Sequence, residues 1–272
     1  MVKIVKDLFS QFNHQYQERY DFHDLDKNAD VDLYMSPDEG FTFANFNSAD
    51  KGWWLTKRDA PTPKEKEITY SVPYSQGEED FSNLDNQRFF EAREITYELL
   101  LVDEDYSYRK AKEKEIKRLI MQAAGYRELD DTFNSGFCFS AKSESVECSD
   151  DESNGTLTAT VKFKAYPYAI ARSYEGSDIW DEINFDNWQD QQTTFNVNNN
   201  SAKADLDNYG SKPVELGFSV TGNVKVTGSN INLDLDQAGA TKVTVMLPIG
   251  GTSLTVSGSG TVHFQFKREE MI

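Results

Sequence analysis

The sequence predicts a mainly β protein with one prominent α-helix and an antiparallel sandwich or barrel in its second half. Two observations predict this class. Apolar and polar residues alternate in many short runs, and glycine-rich turns separate the later runs. Only one stretch, about residues 106–124, combines the three-and-four spacing of an amphipathic helix with signals for its start and its end. The 272 residues suffice for one or two domains.

The first half of the chain contains the longest predicted strand, between Phe89 and Val102. Every second residue in it is apolar, which is typical of a strand with one face in a core. These residues are Ile95, Tyr97, Leu99 and Leu101. Two prolines among charges, at Pro61 and Pro63, predict an exposed extended connector before it. Alternation then resumes at Ile68 and ends at Pro73.

The predicted helix runs from Ser107 to Ala124. Ser107 or Asp105 can cap its start, and Gly125 stands where a left-handed end is favoured. The apolar face carries Ile116, Leu119, Ile120 and Ala123. The opposite face is either a solvated surface or a basic patch on an acidic molecule. That face carries Lys110, Lys112, Glu113, Lys114 and Lys117.

Strands return after the helix, at Phe137–Ala141 and at Leu157–Ala165, with an exposed turn predicted at Ser149–Gly155. Cys138 and Cys148 are too few for a disulfide framework. They could face each other across a hairpin, but we interpret them as unpaired.

The second half contains six alternating apolar runs between Pro213 and Phe266, as in an antiparallel sandwich or barrel. Turns are predicted between them, including Gly222-Asn223 and Gly258-Ser259-Gly260. Asp, Asn and Gln dominate from Asp178 onward, which predicts a domain boundary. The domains are therefore assigned to residues 1–35 (an N-terminal extension), 36–171 and 172–272. In the extension, Phe9, Phe12, Tyr16 and Tyr20 share one face of a possible helix, which packs either on a partner or on its own domain.

The excess of acidic residues over basic residues argues against some classes of binding partner. Asp and Glu number 46 against 28 Lys and Arg, giving a net charge of -18. Such a surface argues against specific nucleic-acid binding and against adhesion to anionic lipid. No apolar stretch approaches the length of a membrane helix, and the first residues lack the apolar core of a signal peptide. We expect a folded, soluble protein made in a reducing cytoplasm.

No motif in the sequence predicts catalysis. The three histidines lack metal-ligand spacing, and His263 is expected on the solvent side of a strand. There is no G-x-S-x-G elbow and no phosphate-binding loop. We therefore assign no catalytic, cofactor-binding or metal-binding residue, expect no cofactor and do not expect an enzyme.

Two binding hypotheses remain open. Asp24–Asp32 places oxygen side chains at alternate positions, as a calcium loop does. Ala29 in place of glycine and Met35 in place of a bidentate glutamate favour a solvated acidic loop instead. For sugar binding, Trp180 and Trp188 stand among Asp and Asn residues, and the pair Trp53-Trp54 offers similar rings; all four could equally anchor loops or subunit contacts.

An ordered series of segments resembles a known family. The series is Phe43–Trp53, Ile68–Ser82, Phe89–Leu99, Val161–Tyr168 and Asn208–Pro213. Together they resemble the distal tail proteins (Dit) of long-tailed, siphovirus-type phages of Gram-positive bacteria, over about residues 40 to 272. The resemblance implies an N-terminal β-sandwich domain with one α-helix and a projecting β-arm, followed by a C-terminal galectin-like antiparallel β-sandwich.

The resemblance also implies a function. Distal tail proteins form a homo-hexameric ring hub that connects the tail tube to the tail-tip or baseplate and host-adhesion apparatus. The implied partners are the major tail (tube) protein and the tail-tip or tail-associated protein, with tape-measure and receptor-binding proteins as further candidates. The implied location is the virion tail tip, after assembly in the host bacterial cytoplasm, with DNA only passing through the lumen.

Two features of the sequence are consistent with a ring of this kind. Lys57 to Tyr74 has the extended, charged character of an arm that could add to a neighbouring copy. An acidic lumen would repel passing DNA phosphates.

The alternative function is a carbohydrate-binding β-sandwich protein that recognises a bacterial cell-wall polymer. A wall-degrading hydrolase is disfavoured by the few histidines and the missing motifs.

Overall fold

The computed structural model describes residues 37, 39–84, 87–134, 136–177, 191–228, 231–236 and 243–272. The predicted aromatic helix face from Phe9 to Tyr20, the acidic loop Asp24–Asp32, and the tryptophans Trp180 and Trp188 lie outside these residues. Among the described residues, no helix is both long and apolar enough to span a bilayer.

Strands dominate the described chain. The first part contains β1 (Phe41–Phe43), β2 (Phe46–Asn47), β3 (Trp54–Asp59), β4 (Thr69–Tyr70), β5 (Glu79–Asp80), β6 (Asn83–Leu84), β7 (Gln87–Arg88), β8 (Arg93–Val102), α1 (Tyr106–Gln122), β9 (Arg127–Asp131), β10 (Phe137–Asp151) and β11 (Thr156–Ala171). The second part contains β12 (Thr194–Asn208), β13 (Val214–Gly228), β14 (Ile231–Leu235), β15 (Val245–Leu247), β16 (Gly250–Gln265) and β17 (Glu269–Glu270). The predicted mainly-β class with one helix is confirmed for the described residues.

The first sheet is antiparallel and has the order β2-β1-β9-β10-β11-β8-β3, with β17 added to β11. Its two halves face each other across an aromatic core. Phe41 of β1 stacks on Tyr97 of β8 with ring centroids 4.5 Å apart, and Phe43 lies 4.8 Å from Phe163 of β11. Because these rings are buried, their contact holds the two layers together.

A buried polar group also crosses between the layers. Asp131 at the end of β9 accepts hydrogen bonds from the Tyr97 hydroxyl and from Nε of Arg58, each at 2.7 Å. Its other oxygen accepts from the backbone N–H groups of Phe133 and Asn134 at 3.1 and 3.0 Å. Burial, with the carboxylate beside it, raises the pKa of Tyr97 well above its ordinary value, so the hydroxyl stays a donor.

The helix forms where the sequence predicts it. Asp105 is its N-cap, and the carboxylate accepts from the backbone N–H of Ser107 at 2.8 Å. Ile116 and Ile120 are fully buried against the sheet. The helix ends at Gln122, earlier than predicted, because Ala123 already has extended backbone angles.

The second sheet has the order β12-β16-β13-β14, and β15 also pairs with β13. The turns predicted at Gly222 and at Gly258–Gly260 are wrong, because these glycines lie inside long strands. Gly222 pairs with Gly260, and Gly258 has a φ of +114°. Buried residues continue on the same face on both sides of the glycines, so they bend the paired strands around one core.

Strand β12 (Thr194–Asn208) lies in the polar region that the sequence predicts only as a boundary. Its alternation is broken by a bulge at Asn199, where φ is +53°. Phe195 and Val197 point inward before the bulge, and Ala204 and Leu206 do so after it. The shift from odd to even positions hides the strand from a period-two pattern.

We expect Gly222→Ala to destabilise the second domain more than Gly250→Ala does. The two glycines have nearly equal φ angles, +82° and +84°. A Cβ at Gly222 would lie 2.5 Å from the Ser259 carbonyl oxygen, whereas nothing lies within 4 Å of one at Gly250. Positive φ costs either alanine about 1–2 kcal/mol, and the clash adds to the cost at Gly222. Urea unfolding measures both; equal losses would contradict the bend.

Candidate assembly surface

Residues 60–92 leave the first sheet between β3 and β8 and form an arm. Near its base, the backbone N–H of Lys66 donates to the Phe89 carbonyl at 2.8 Å. Further out, Phe81 N–H donates to the Ile68 carbonyl at 2.8 Å, and β4 pairs with β5. Every residue from Lys66 to Phe81 is exposed, so this part of the arm packs on no core formed by the described residues.

The exposed part of the arm is unusually apolar. Ile68, Tyr70 and Phe81 each expose more than half of their surface, and Tyr74 at the tip is fully exposed. A contiguous exposed set of large apolar side chains marks an interaction surface on a soluble protein. The arm expected from Lys57 to Tyr74 therefore exists, with one correction. Its first residues belong to the sheet, where Lys57 pairs with Glu98 of β8.

The arm base is anchored by the buried Arg93 at the start of β8. One guanidinium nitrogen donates to the Ala60 carbonyl at 2.7 Å, and another donates to the Ile272 carbonyl at 2.6 Å. The guanidinium carbon also lies 5.1 Å from the ring centre of Phe139. Burial lowers the pKa of Arg93 from its ordinary value. These contacts fix the point from which the arm projects.

The chain returns to the first sheet after completing the second. Strand β17 (Glu269–Glu270) pairs with Ala169 and Ile170 of β11. Lys212 donates to the Glu269 carboxylate and to the Tyr166 hydroxyl, both at 3.0 Å. Burial alone would lower the pKa of Lys212, but these two hydrogen bonds outweigh it and raise the pKa. The link joins the chain leaving the second sheet to the first sheet through backbone and side chains.

The helix lysines are largely neutralised by neighbouring carboxylates. Glu113 bonds Lys110 at 2.9 Å and Lys117 at 2.7 Å, and these hydrogen bonds lower the pKa of Glu113. Lys112 lies 3.5 Å from Glu115. The structure therefore favours the solvated-face interpretation over a basic patch.

Of the tryptophans proposed for sugar binding, Trp53 is fully buried in the core, so this part of the hypothesis is wrong. Its ring packs inside the first domain and has no face for a ligand. Trp54 is half-buried on β3. His263 lies on the face of β16 opposite its buried neighbours, as predicted, and its Nδ1 is 2.9 Å from the Thr194 hydroxyl.

One group of possible metal ligands occurs among the described residues. Glu128, Asp130 and Cys138 bring their ligand atoms within 4.8 Å of one another. Asp130 already forms an ion pair with Arg172. Burial raises the pKa of Cys138 to about 11, so its thiol remains protonated at neutral pH. A protonated thiol and a paired carboxylate make a poor cation site.

Comparison with solved structures agrees with this architecture. The Dit protein (gp 19.1) of phage SPP1, described as a paradigm of the hub adsorption apparatus in phages that infect Gram-positive bacteria, has a TM-score of 0.58. The match covers 84% of this chain and 98% of that chain at 9% identity. The chain has the fold of this hub protein. The resemblance to distal tail proteins is thereby confirmed at the level of fold.

Two structures of the phage P2 baseplate in its activated conformation show lower similarity to the chain. The TM-score is 0.35 at 11% identity for the form with Ca, covering 82% of this chain and 92% of that chain. It is 0.31 at 11% identity for the form with Sr, covering 85% and 97%. No protein-family model matches the sequence, and no curated protein matches it.

A double-mutant cycle between Lys212→Met and Glu269→Gln tests the link between the domains. We expect each single change to lower the free energy of unfolding, and the pair to show a coupling of about 1 kcal/mol, because the two groups are only partly exposed. Thermal unfolding measures the cycle. Additive single effects would show that the ion pair does not hold the domains together.

The Cys138 thiol should react slowly with iodoacetamide. With a pKa of about 11, only about one thousandth of it is thiolate at pH 8, and the rate should rise about tenfold per pH unit up to pH 10. We expect alkylation in the folded protein at least about tenfold slower than in urea. Peptide mass spectrometry separates Cys138 from Cys148. Equal rates in the folded and unfolded states would contradict the burial of this thiol.

Proposed function

We propose that this chain is a structural virion protein whose copies close into a hexameric ring hub at the distal end of a long-tailed phage tail. The main support for this proposal is the fold shared with the SPP1 hub protein. The structural match covers nearly all of that chain. In this proposal, residues 36–171 form the ring and residues 172–272 form the galectin-like lobe. The first 35 residues are an extension.

The geometry of the first domain supports self-association. A closed ring needs two different surfaces on each copy, one that reaches out and one that receives. The arm is a surface of the first kind, since it is exposed, apolar and firmly anchored at its base. Its extended segments and exposed side chains are suited to contact a neighbouring copy.

The proposed partners follow from this position. They are further copies of the chain, the tube protein above the ring and the tail-tip protein below it, with tape-measure and receptor-binding proteins as candidates. A ring on the path of the genome needs a lumen that does not hold DNA. The net charge of -18 supports an acidic channel that repels phosphates. The protein acts at the tail tip as a scaffold and catalyses no reaction.

Sugar recognition is not proposed. Trp53 is enclosed in the core, and no feature of the described residues favours a sugar ring over a protein surface.

Replacing residues 69–80 by Asn-Gly tests the ring and the arm together. The Phe81 N–H already donates to the Ile68 carbonyl, so a two-residue turn can close the shortened hairpin. We expect the full chain to form a six-fold annulus in negative-stain images and native mass spectra. The shortened chain should stay monomeric with unchanged thermal unfolding, because the removed residues are exposed.

A strictly monomeric full chain at high concentration would contradict the hub proposal. Rings formed equally well by the shortened chain would keep the hub but remove the role of the arm.

A further inference from the structure

The outer face of the first sheet carries an unusual group of lysines. Lys142 of β10 stands directly opposite Lys164 of β11, and Lys162 lies two residues further along the same face. Glu94 of β8 lies opposite Lys164 and 3.6 Å from Lys162, and Glu144 follows Lys142 by two residues on β10. Like charges placed side by side across strands are destabilising. We call Lys142, Lys162 and Lys164 the lysine strip. It is a net positive surface on a strongly acidic chain.

An aromatic cavity of about 400 Å³ adjoins the lysine strip. Its apolar lining includes the residues Tyr126, Tyr166, Pro167 and Ile170. Lys142 connects the two features, because its Nζ lies 5.8 Å from the ring centre of Tyr126. An occupant that fits both must therefore carry an apolar or aromatic side chain close to several carboxylates.

The arm has this chemistry. Between Glu67 and Gln87 there is no Lys or Arg, and Glu78, Glu79 and Asp80 follow the aromatic tip at Tyr74. The arm does not cover the strip of its own chain, since all of its outer residues are exposed. Extended backbone from Lys64 to Tyr70 spans about 20 Å, so the tip lies well beyond the base of the arm.

We propose that the arm of one copy docks on the neighbouring copy, with its acidic residues on the lysine strip and its aromatic tip at the adjoining cavity. This inference rests on the proposed ring and names the two surfaces that close it. The contact is heterologous, since arm and strip are different patches of one chain, and it can therefore repeat around a circle. Long-range attraction between the two patches also selects the strip over the acidic remainder of the surface.

A charge-swap series tests the contact on the full chain. One variant carries Glu78→Lys and Glu79→Lys, another carries Lys142→Glu and Lys164→Glu, and a third carries all four changes. We expect each two-site variant to weaken assembly at least tenfold by analytical ultracentrifugation. The four-site variant should recover most of the assembly, because a basic arm then meets an acidic strip on the neighbouring copy. Wild-type assembly should also weaken from 0.1 M to 1 M salt, as the screening length falls from about 10 to 3 Å.

A matched control separates this contact from a general charge effect. Lys114→Glu with Lys203→Glu makes the same net change at two exposed lysines elsewhere, and it should leave assembly unchanged. Should the reversed lysine strip fail to fold by circular dichroism, Lys142→Gln with Lys164→Gln replaces it. The arm changes lie at exposed positions and leave folding intact.

The outcomes separate the two proposals. A wild-type chain that never assembles overturns the ring and the docking together. Wild-type rings that ignore every swap, or a four-site variant that does not recover, overturn only the docking. Loss in both two-site variants with recovery in the four-site variant establishes it.

Discussion

The position of the projecting arm depends on one buried guanidinium. Arg93 is 2% exposed, and two of its guanidinium nitrogens donate to carbonyls, one from Ala60 at the arm base and one from Ile272. Burying a cation without partners costs several kcal/mol, so these carbonyls are held where the guanidinium requires them. The arm, the first sheet and the segment returning from the second domain therefore meet at one residue. A shift in any of the three would leave donors unmet.

The elements that the sequence predicts well are those whose local pattern and tertiary environment agree. Strand β8 alternates and is half in the core, and α1 has both an apolar face and an N-cap. Gly222 and Gly260, which pair with each other across β13 and β16, show where this agreement ends. A glycine between apolar runs marks a turn if the chain reverses and a bend if the strand continues. The deciding factor is the glycine opposite on the paired strand, which no local window contains.

Some features of the arm and its base could be predicted from the local sequence, and others could not. The exposed character of the arm could be predicted from its prolines and charges, because solvation is a local property. No local pattern in the sequence predicts that Arg93 and Arg109 are buried. Their partners are distant in the sequence: Arg109 bonds Asp150 at 2.7 Å, and Arg93 bonds the last residue. Trp53 is the opposite error, because the local sequence around this large ring does not show whether it is buried in a core or exposed to a ligand.

An exposed apolar arm is a hazard for any soluble protein, because it can pair with whatever it meets. Its own charges limit that hazard here. A chain of net charge -18 repels the acidic tip over most of its surface, so unspecific contacts between copies are disfavoured. The lysine strip departs from this pattern, since Lys142 and Lys164 stand opposite each other and Glu94 is the carboxylate that pairs with Lys162. In the proposed contact, the carboxylates of a neighbouring arm reduce this repulsion further, and the exposure of the apolar arm side chains is reduced at the same time. This favours closure of the proposed ring and fixes how neighbouring copies align.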